Sequence, residues 1–193
     1  MGKLYNKIHD YIDHCDNGNI LEIGMDRGEG STQTFIDLAT SRGVEYVGVD
    51  IEPKKFAGDN VDVHTMTGEE YLAQNTKKFS IVYLDNFDWN YWALENSIIK
   101  RQSAVYEKHM NTELTNVNSQ KSHLLQAIAL EPYLTPNATI MCDDTWWEEK
   151  YMVWMGKCSS AIPFLISIGF TAAHHEGKAN NPAGCVILTR TCG

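Results

Sequence analysis

Residues 20–32, with the sequence ILEIGMDRGEGST, constrain the fold more than any other part of this chain. The stretch opens with a mostly apolar run, residues 20–23, which predicts a buried strand. Glycines then predict a tight turn, and Ser31 or Thr32 is placed to cap a helix that follows it. A glycine-rich turn between a strand and a helix lets a ligand approach the backbone N–H groups of the helix N-terminus. The stretch therefore predicts a cofactor-binding turn.

The spacing of this turn indicates which cofactor it accepts. A nicotinamide or flavin fingerprint has the pattern G-x-G-x-x-G, and a phosphate loop has Gly-Lys-Ser/Thr at the helix start. This chain has neither; instead Glu22 lies at the end of the strand and is followed by Gly24, Gly28 and Gly30. The pattern resembles motif I of the class I S-adenosylmethionine-dependent methyltransferases, whose ligand carries a positive sulfonium and amino group. The alternative of a strand-to-helix turn that binds nothing stays open.

The rest of the chain alternates predicted strands and helices. This alternation predicts a single α/β domain over residues 1–193: a Rossmann-like, doubly wound sheet of about seven strands, mostly parallel, with an antiparallel last strand. Residues 148–168 are predicted to be mostly helical. The predicted strands are residues 20–23, 46–49, 61–65, 79–84, 139–142, 170–174 and 185–189.

Residues 90–122 interrupt this alternation between the fourth and fifth predicted strands. The segment contains a predicted helix near residues 97–110 and a polar stretch over residues 111–118. An insertion at the carboxyl edge of a sheet is typically a lid or a substrate wall. The alternative is a packing or dimerisation appendage.

Acidic residues follow three of the predicted strands. Asp50 closes the second strand about twenty residues beyond the glycine turn, where a carboxylate takes the ribose hydroxyls of an adenosine cofactor. Asp85 follows the fourth strand, and Asp143 and Asp144 follow the fifth. Since parallel strands end at one edge, the last three side chains are expected to lie together and to need a cation or protons between them. An all-oxygen set favours Mg²⁺, with Ca²⁺ or Mn²⁺ as alternatives.

This arrangement resembles the metal-dependent O-methyltransferases of the catechol O-methyltransferase type. The resemblance implies that Asp85, Asp143 and Asp144 hold the metal and that Phe87 packs on the adenine. It also implies a wider set of contacts to S-adenosylmethionine. These contacts come from Glu22, Gly24, Asp26, Gly28, Gly30, Ser31, Asp50, Ile51, Gly68, Glu69, Asp85 and Phe87.

The chain departs from that family at the general base. The catechol enzymes carry a lysine three positions after the first metal ligand, and this chain has Asp88 there. Asp88, His123 and His109 are the remaining candidates, and the predicted catalytic group is Asp85, Asp88 and His123. Each histidine is alternatively an ordinary helix residue. Only one short helix precedes the first strand, where the catechol enzymes have more.

Composition limits the partners and the location of the protein. Sixteen Lys and Arg against 25 Asp and Glu, a net charge of -9, argue against nucleic acid as a partner. The five cysteines are scattered without metal-ligand spacing and are expected to be free thiols. A polar N-terminus and the lack of a long apolar run predict a cytoplasmic protein without membrane contact.

The sequence thus predicts an S-adenosylmethionine-dependent and divalent-metal-dependent O-methyltransferase. Its predicted partner is a small hydroxylated acceptor, either a catechol-like or a sugar-like diol, and a homodimer is left open. One alternative is a methyltransferase-like module that binds cofactor or a partner without catalysis. The other is an NAD-binding oxidoreductase, which the glycine spacing and the three aspartates disfavour.

Overall fold

The computed structural model describes residues 4–25, 30–90, 96–178 and 181–192. The strands are β1 (Asn19–Ile23), β2 (Tyr46–Asp50), β3 (Val61–Thr65), β4 (Phe79–Leu84), β5 (Leu134–Asp143), β6 (Thr145–Glu148), β7 (Val153–Gly156), β8 (Thr171–Lys178) and β9 (Asn181–Arg190). The helices are α1 (Ser31–Arg42), α2 (Gly68–Gln74), α3 (Asn96–Met110), α4 (Asn116–Leu130) and α5 (Ala161–Ser167), with 3₁₀ helices at Leu4–Tyr11 and Glu131–Tyr133.

Seven strands form one sheet in the order β3-β2-β1-β4-β5-β9-β8. The pairs that join β3, β2, β1, β4 and β5 are parallel, and β9 runs antiparallel to both of its neighbours. The strand order reverses between β1 and β4, which places the carboxyl ends of β1, β2, β4 and β5 along one edge. The predicted mostly parallel sheet with an antiparallel last strand is confirmed.

Helices cover both faces of the sheet, so the central strands are buried throughout. Every residue of β2 and β4 is buried. On one face α2, α4 and α5 pack over a core that includes Leu21, Val82 and Ile140. On the other face α1 and the N-terminal 3₁₀ helix cover Ile20, Ile81 and Ile187. Burial on two sides explains why these strands appear in the sequence as continuous apolar runs.

Two helix starts differ from the sequence prediction. Gly30, in a left-handed conformation, is the N-cap of α1 and no side chain caps that helix, so neither Ser31 nor Thr32 has the predicted capping role. In the inserted segment the sequence favours a helix start at Ser119 or Ser122, but α4 begins at Asn116, because the hydroxyl of Thr115 accepts a hydrogen bond from the Asn118 amide at 3.1 Å. This N-cap sets the position of the helix that packs under the candidate site.

The prediction that residues 148–168 are mostly helical is wrong over their first half. Strands β6 and β7 form a separate two-stranded antiparallel sheet, and only α5 is helical. Trp147 and Trp154 face each other across this hairpin with ring centroids 4.9 Å apart. Such cross-strand aromatic pairs stabilise a hairpin, which outweighs the weak helical periodicity of the segment. The hairpin returns the chain to the carboxyl edge of the sheet.

None of the described helices combines the length and apolar character that crossing a membrane requires. The cysteines are free thiols, as predicted.

Candidate cofactor site and carboxylate cluster

A cavity of about 540 Å³ opens at the carboxyl ends of β1, β2, β4 and β5. The loops after these strands form its floor, α3 forms one wall, and the segment after β7 contributes one residue. The residues that line it are Ile23, Gly24, Val49, Asp50, Ile51, Glu52, Lys54, Met66, Thr67, Gly68, Asp85, Asn86, Phe87, Asp88, Arg101, Gln102, Val105, Tyr106, Met110, Asp143, Asp144 and Lys157. A crevice at the point where strand order reverses is where open α/β sheets bind ligands.

Gly24 is required at this edge by a close approach of two backbones. Its φ is +90°, and a Cβ atom there would lie 2.4 Å from the Asn86 amide nitrogen. The glycine therefore lets the chain after β1 pass directly against the chain after β4, which brings both loops into the cavity floor. Beside it, Asn86 carries a buried side-chain oxygen that has no hydrogen-bond partner among the described residues.

Asp50 closes β2 on the cavity and is held in one orientation by two backbone amides. The Met25 amide donates to Oδ2 at 2.9 Å, and the Glu52 amide donates to Oδ1 at 2.8 Å. Burial raises the pKa of this carboxyl, and the two amides and Lys54 oppose that effect. Each oxygen has a further lone pair, so the side chain can still accept hydrogen bonds from a ligand.

The wall above the cavity comes from the inserted segment. Phe87, with a φ of +52°, stacks on Tyr106 of α3 at a centroid distance of 4.3 Å. The Tyr106 hydroxyl accepts from the Asp88 amide at 2.7 Å and donates to the Asp88 carboxylate at 3.2 Å. The contacts fix the loop after β4 against α3, and a role of the inserted segment as lid or substrate wall stays a prediction.

Asp85, Asp143 and Asp144 lie together, as predicted. One carboxylate oxygen of each residue lies within 4.8 Å of the others. A fourth residue, which the sequence did not point to, lies among them: the Lys157 ammonium donates to Asp85 Oδ1 at 2.7 Å and lies 3.0 Å from Asp144 Oδ2. Its side chain is only 4% exposed. The cluster thus contains its own cation.

The charges of this cluster depend on one another. Burial raises the pKa of Asp143 well above its ordinary value, and the negative charges of Asp85 and Asp144 raise it further. Burial also raises the pKa of Asp85, against the lowering effect of the Lys157 ammonium. Burial lowers the pKa of Lys157. The surrounding carboxylates outweigh this effect and raise the pKa well above its usual range. These effects favour the cationic form of Lys157 and the protonated form of Asp143.

The hairpin positions Lys157 through backbone contacts. The Lys157 amide donates to the Asp144 carbonyl at 3.1 Å, and the Cys158 amide donates to the Thr145 hydroxyl at 3.1 Å. Gly156 makes this approach possible, because a Cβ atom there would lie 2.0 Å from the Asp144 carbonyl oxygen. Asp144 itself adopts a left-handed φ of +46°. Strained backbone of this kind occurs often at functional sites.

Comparison with solved structures identifies the architecture. The chain aligns with a candidate rRNA methylase from Clostridium thermocellum at a TM-score of 0.59 and 12% identity, over 98% of each chain. It aligns with the Burkholderia thailandensis 1,6-didemethyltoxoflavin-N1-methyltransferase, solved with bound S-adenosylhomocysteine, at a TM-score of 0.53 and 14% identity, over 97% of this chain and 76% of that one. An S-adenosylmethionine-dependent methyltransferase from Methanosarcina mazei aligns at 0.52 and 14% identity, over 99% and 100%. The chain has the methyltransferase fold. No family model matches the sequence, and no curated protein matches it either.

On this methyltransferase fold the cavity fits an adenosine cofactor. Asp50 and the loop after β2 provide polar groups at one end, Asn86 offers an acceptor without a partner among the described residues, and Gly24 keeps the floor open. The volume of about 540 Å³ is within the usual range for ligand pockets.

The carboxylate cluster does not fit a divalent cation as it stands. Its three carboxylates are the ligands that Mg²⁺ prefers. However, the Lys157 ammonium lies at hydrogen-bonding distance from Asp85 and at ion-pair distance from Asp144, so an ion and the lysine would compete for the same oxygens.

Several residues that were predicted to contact the cofactor are not among the residues that line the cavity. Gly30 and Ser31 form the start of α1. Glu69 connects α2 to α4, since Ser122 donates to it at 2.6 Å and Gln126 donates at 3.0 Å. Asp26 and Gly28 fall outside the described residues.

Glu22 lies beneath the cavity floor and not in it. Its side chain is fully buried, and the Tyr46 hydroxyl donates a hydrogen bond to it. Burial raises the pKa of Glu22 from 4.5 to about 7, although the hydrogen bond from Tyr46 lowers it. Glu22 is thus not among the described residues that line the cavity, and its predicted contact with the cofactor stays a prediction.

His123 is also away from the cavity lining. It is fully buried in α4, and its Nδ1 lies 2.8 Å from the Ser119 carbonyl of the same helix. Burial lowers its pKa to about 3, so it stays neutral at physiological pH. His123 does not line the cavity, whereas Asp85 and Asp88 both do.

Proposed function

We propose that this protein is an S-adenosylmethionine-dependent methyltransferase that methylates a hydroxyl oxygen of a small acceptor. One observation carries the proposal: a single cavity joins the adenosine-side residues Asp50 and Gly68 to the carboxylate cluster at Asp85 and Asp144. A cofactor bound across this cavity would have its sulfonium methyl near the cluster, with the acceptor between cluster and α3.

The choice of a small acceptor rests on space and on charge. The cavity of about 540 Å³ must hold the cofactor, which leaves room for only a small molecule beneath α3. The net charge of -9 opposes binding to a polyanion. These features favour a catechol-like or sugar-like diol over RNA, although two structural neighbours are candidate rRNA methyltransferases.

The preference for oxygen rests on the carboxylates at the acceptor end. Hydroxyl hydrogens donate to Asp85, Asp88 or Asp144, and those contacts orient the acceptor oxygen toward the methyl group. In the transfer the new C–O bond forms as the C–S bond breaks, and the hydroxyl proton passes to Asp88, whose carboxylate Tyr106 holds in place. The products are a methyl ether and S-adenosylhomocysteine.

Metal dependence stays a prediction. Asp85, Asp143 and Asp144 could hold Mg²⁺ only if Lys157 first left its two carboxylates.

The cofactor is tested first by calorimetric titration with S-adenosylmethionine and, separately, NAD⁺. We expect binding of S-adenosylmethionine only, and Asp50→Asn should weaken it about 10- to 100-fold, the range for a hydrogen bond to a charged group. Asp59→Asn, the same change on an exposed loop residue, is the matched control. Binding of NAD⁺ alone would support the oxidoreductase instead.

A second assay tests catalysis. Formation of S-adenosylhomocysteine is measured with catechol and with simple sugars as probe acceptors. Binding of S-adenosylmethionine without turnover of any hydroxyl compound would favour the non-catalytic module.

A further inference from the structure

We propose that the Lys157 ammonium is a built-in cation that takes the place of a divalent metal in the carboxylate cluster. The inference deepens the proposed function, on which its catalytic meaning rests, and it makes the site independent of metal ions. It also departs from the metal dependence that the strand-end aspartates predict. Lys157 acts here as a positioning residue for Asp85 and Asp144.

The first support is the place of the ammonium. Lys157 Nζ lies 2.7 Å from Asp85 Oδ1 and 3.0 Å from Asp144 Oδ2, two of the three carboxylates that would ligate an ion. A lysine ammonium is a compact point charge with three donors. Two of these donors serve the aspartates, which leaves one N–H for the cavity that the residue lines.

The second support is that burial and a backbone hydrogen bond hold Lys157 within the cluster. Its side chain is 4% exposed, and its backbone is fixed by the hydrogen bond from its own amide to the Asp144 carbonyl. Removing it from the cluster would leave Asp85 and Asp144 without their cation and the ammonium without partners in a buried place. An incoming ion would have to offset both costs.

The third support is a comparison within the chain. A second set of potential metal ligands, His174, Glu176 and Cys185, also contacts a lysine, Lys7. The Lys7 side chain is 40% exposed, so it can swing into solvent. Burial thus distinguishes Lys157 as a structural cation, and this second set must be controlled for in any metal-binding test.

The test measures Mn²⁺ binding from the loss of the electron paramagnetic resonance signal of the free ion. We expect the wild-type protein to show no binding that depends on Asp144. Lys157→Met keeps the apolar stem and removes the charge, and it should bind Mn²⁺ at least about 100-fold more tightly, since removing a like charge a few ångströms away is a large electrostatic gain. Adding Asp144→Asn to this variant should abolish the new site. That loss would show that the gained Mn²⁺ binding does not take place at His174, Glu176 and Cys185.

Two further variants complete the design. Lys150→Met makes the same change at an exposed position of the same hairpin and should behave like the wild-type protein. Lys157→Arg retains a cation and should restore the exclusion of Mn²⁺. If Lys157→Met does not fold alone, Mn²⁺ should refold it, as followed by circular dichroism, because the ion replaces the missing charge.

Three outcomes would overturn the inference. Wild-type protein that binds Mn²⁺ in an Asp144-dependent manner would show that the lysine yields to a metal. A folded Lys157→Met that gains no binding, or an unfolded one that Mn²⁺ does not rescue, would show that the position is not a cation site. None of these measurements uses S-adenosylmethionine, so failure of the inference is distinct from failure of the proposed function.

Discussion

Replacing Glu22 with glutamine tests the electrostatics beneath the cofactor turn. Glu22 is fully buried, and one of its oxygens accepts a hydrogen bond from the Tyr46 hydroxyl. Burial raises its pKa from 4.5 to about 7. A glutamine side chain at this position would have nearly the same shape as the protonated acid and would not titrate.

The sign of the pH effect follows from the raised pKa. The folded state binds the Glu22 proton more tightly than the unfolded state does, so protonation of Glu22 stabilises the fold. That stabilisation is complete below pH 4.5 and is lost as the pH rises through about 7. At about 1.36 kcal/mol for each pKa unit, the loss approaches about 3 kcal/mol. We therefore expect the free energy of unfolding of Glu22→Gln, relative to wild type, to rise by that amount across the same range.

Urea unfolding of both proteins at a series of pH values from 4.5 to about 8 measures this difference. Other titrating groups affect both proteins equally and cancel. Glu107→Gln, the same change on the exposed surface of α3, is the matched control. A difference for Glu22→Gln that does not change with pH would refute the reasoning, since it would mean that Glu22 keeps an ordinary pKa in the folded protein.

Two other substitutions test the local structure. Gly24→Ala should destabilise the fold by about 3 kcal/mol or more and weaken S-adenosylmethionine binding, because its Cβ would lie 2.4 Å from the Asn86 nitrogen. The control Gly43→Ala, with φ +64° and no atom near its Cβ, should cost only about 1–2 kcal/mol in urea unfolding. Equal costs for the two variants would contradict the close approach at Gly24. Thr115→Ala should lower the free energy of unfolding by about 1 kcal/mol through loss of the α4 cap, whereas Thr115→Ser should retain most of it; identical urea midpoints for the two variants would argue against the cap.

Much of the fold could be predicted because its signals are local. The buried strands appear as apolar runs, and Asp50, Asp85, Asp143 and Asp144 could be placed at one edge since parallel strands end together. The cavity lining confirms that placement. The β6–β7 hairpin could not be predicted with the same ease, because its pairing depends on a contact between Trp147 and Trp154 across a turn.

The candidate site shows a similar division. The strand-end acids and the aromatic after β4 are local features of the sequence, so the sequence alone determined a cavity edge with three carboxylates. Only the tertiary structure decided which cation accompanies them. Lys157 lies 72 positions after Asp85, and it reaches that carboxylate through a hairpin and a glycine that allows close approach to Asp144. Likewise, only the packed structure shows that Glu22 is fully buried and accepts a hydrogen bond from Tyr46. Both outcomes depend on desolvation and on distances between remote segments, and these quantities exist only once the chain has packed.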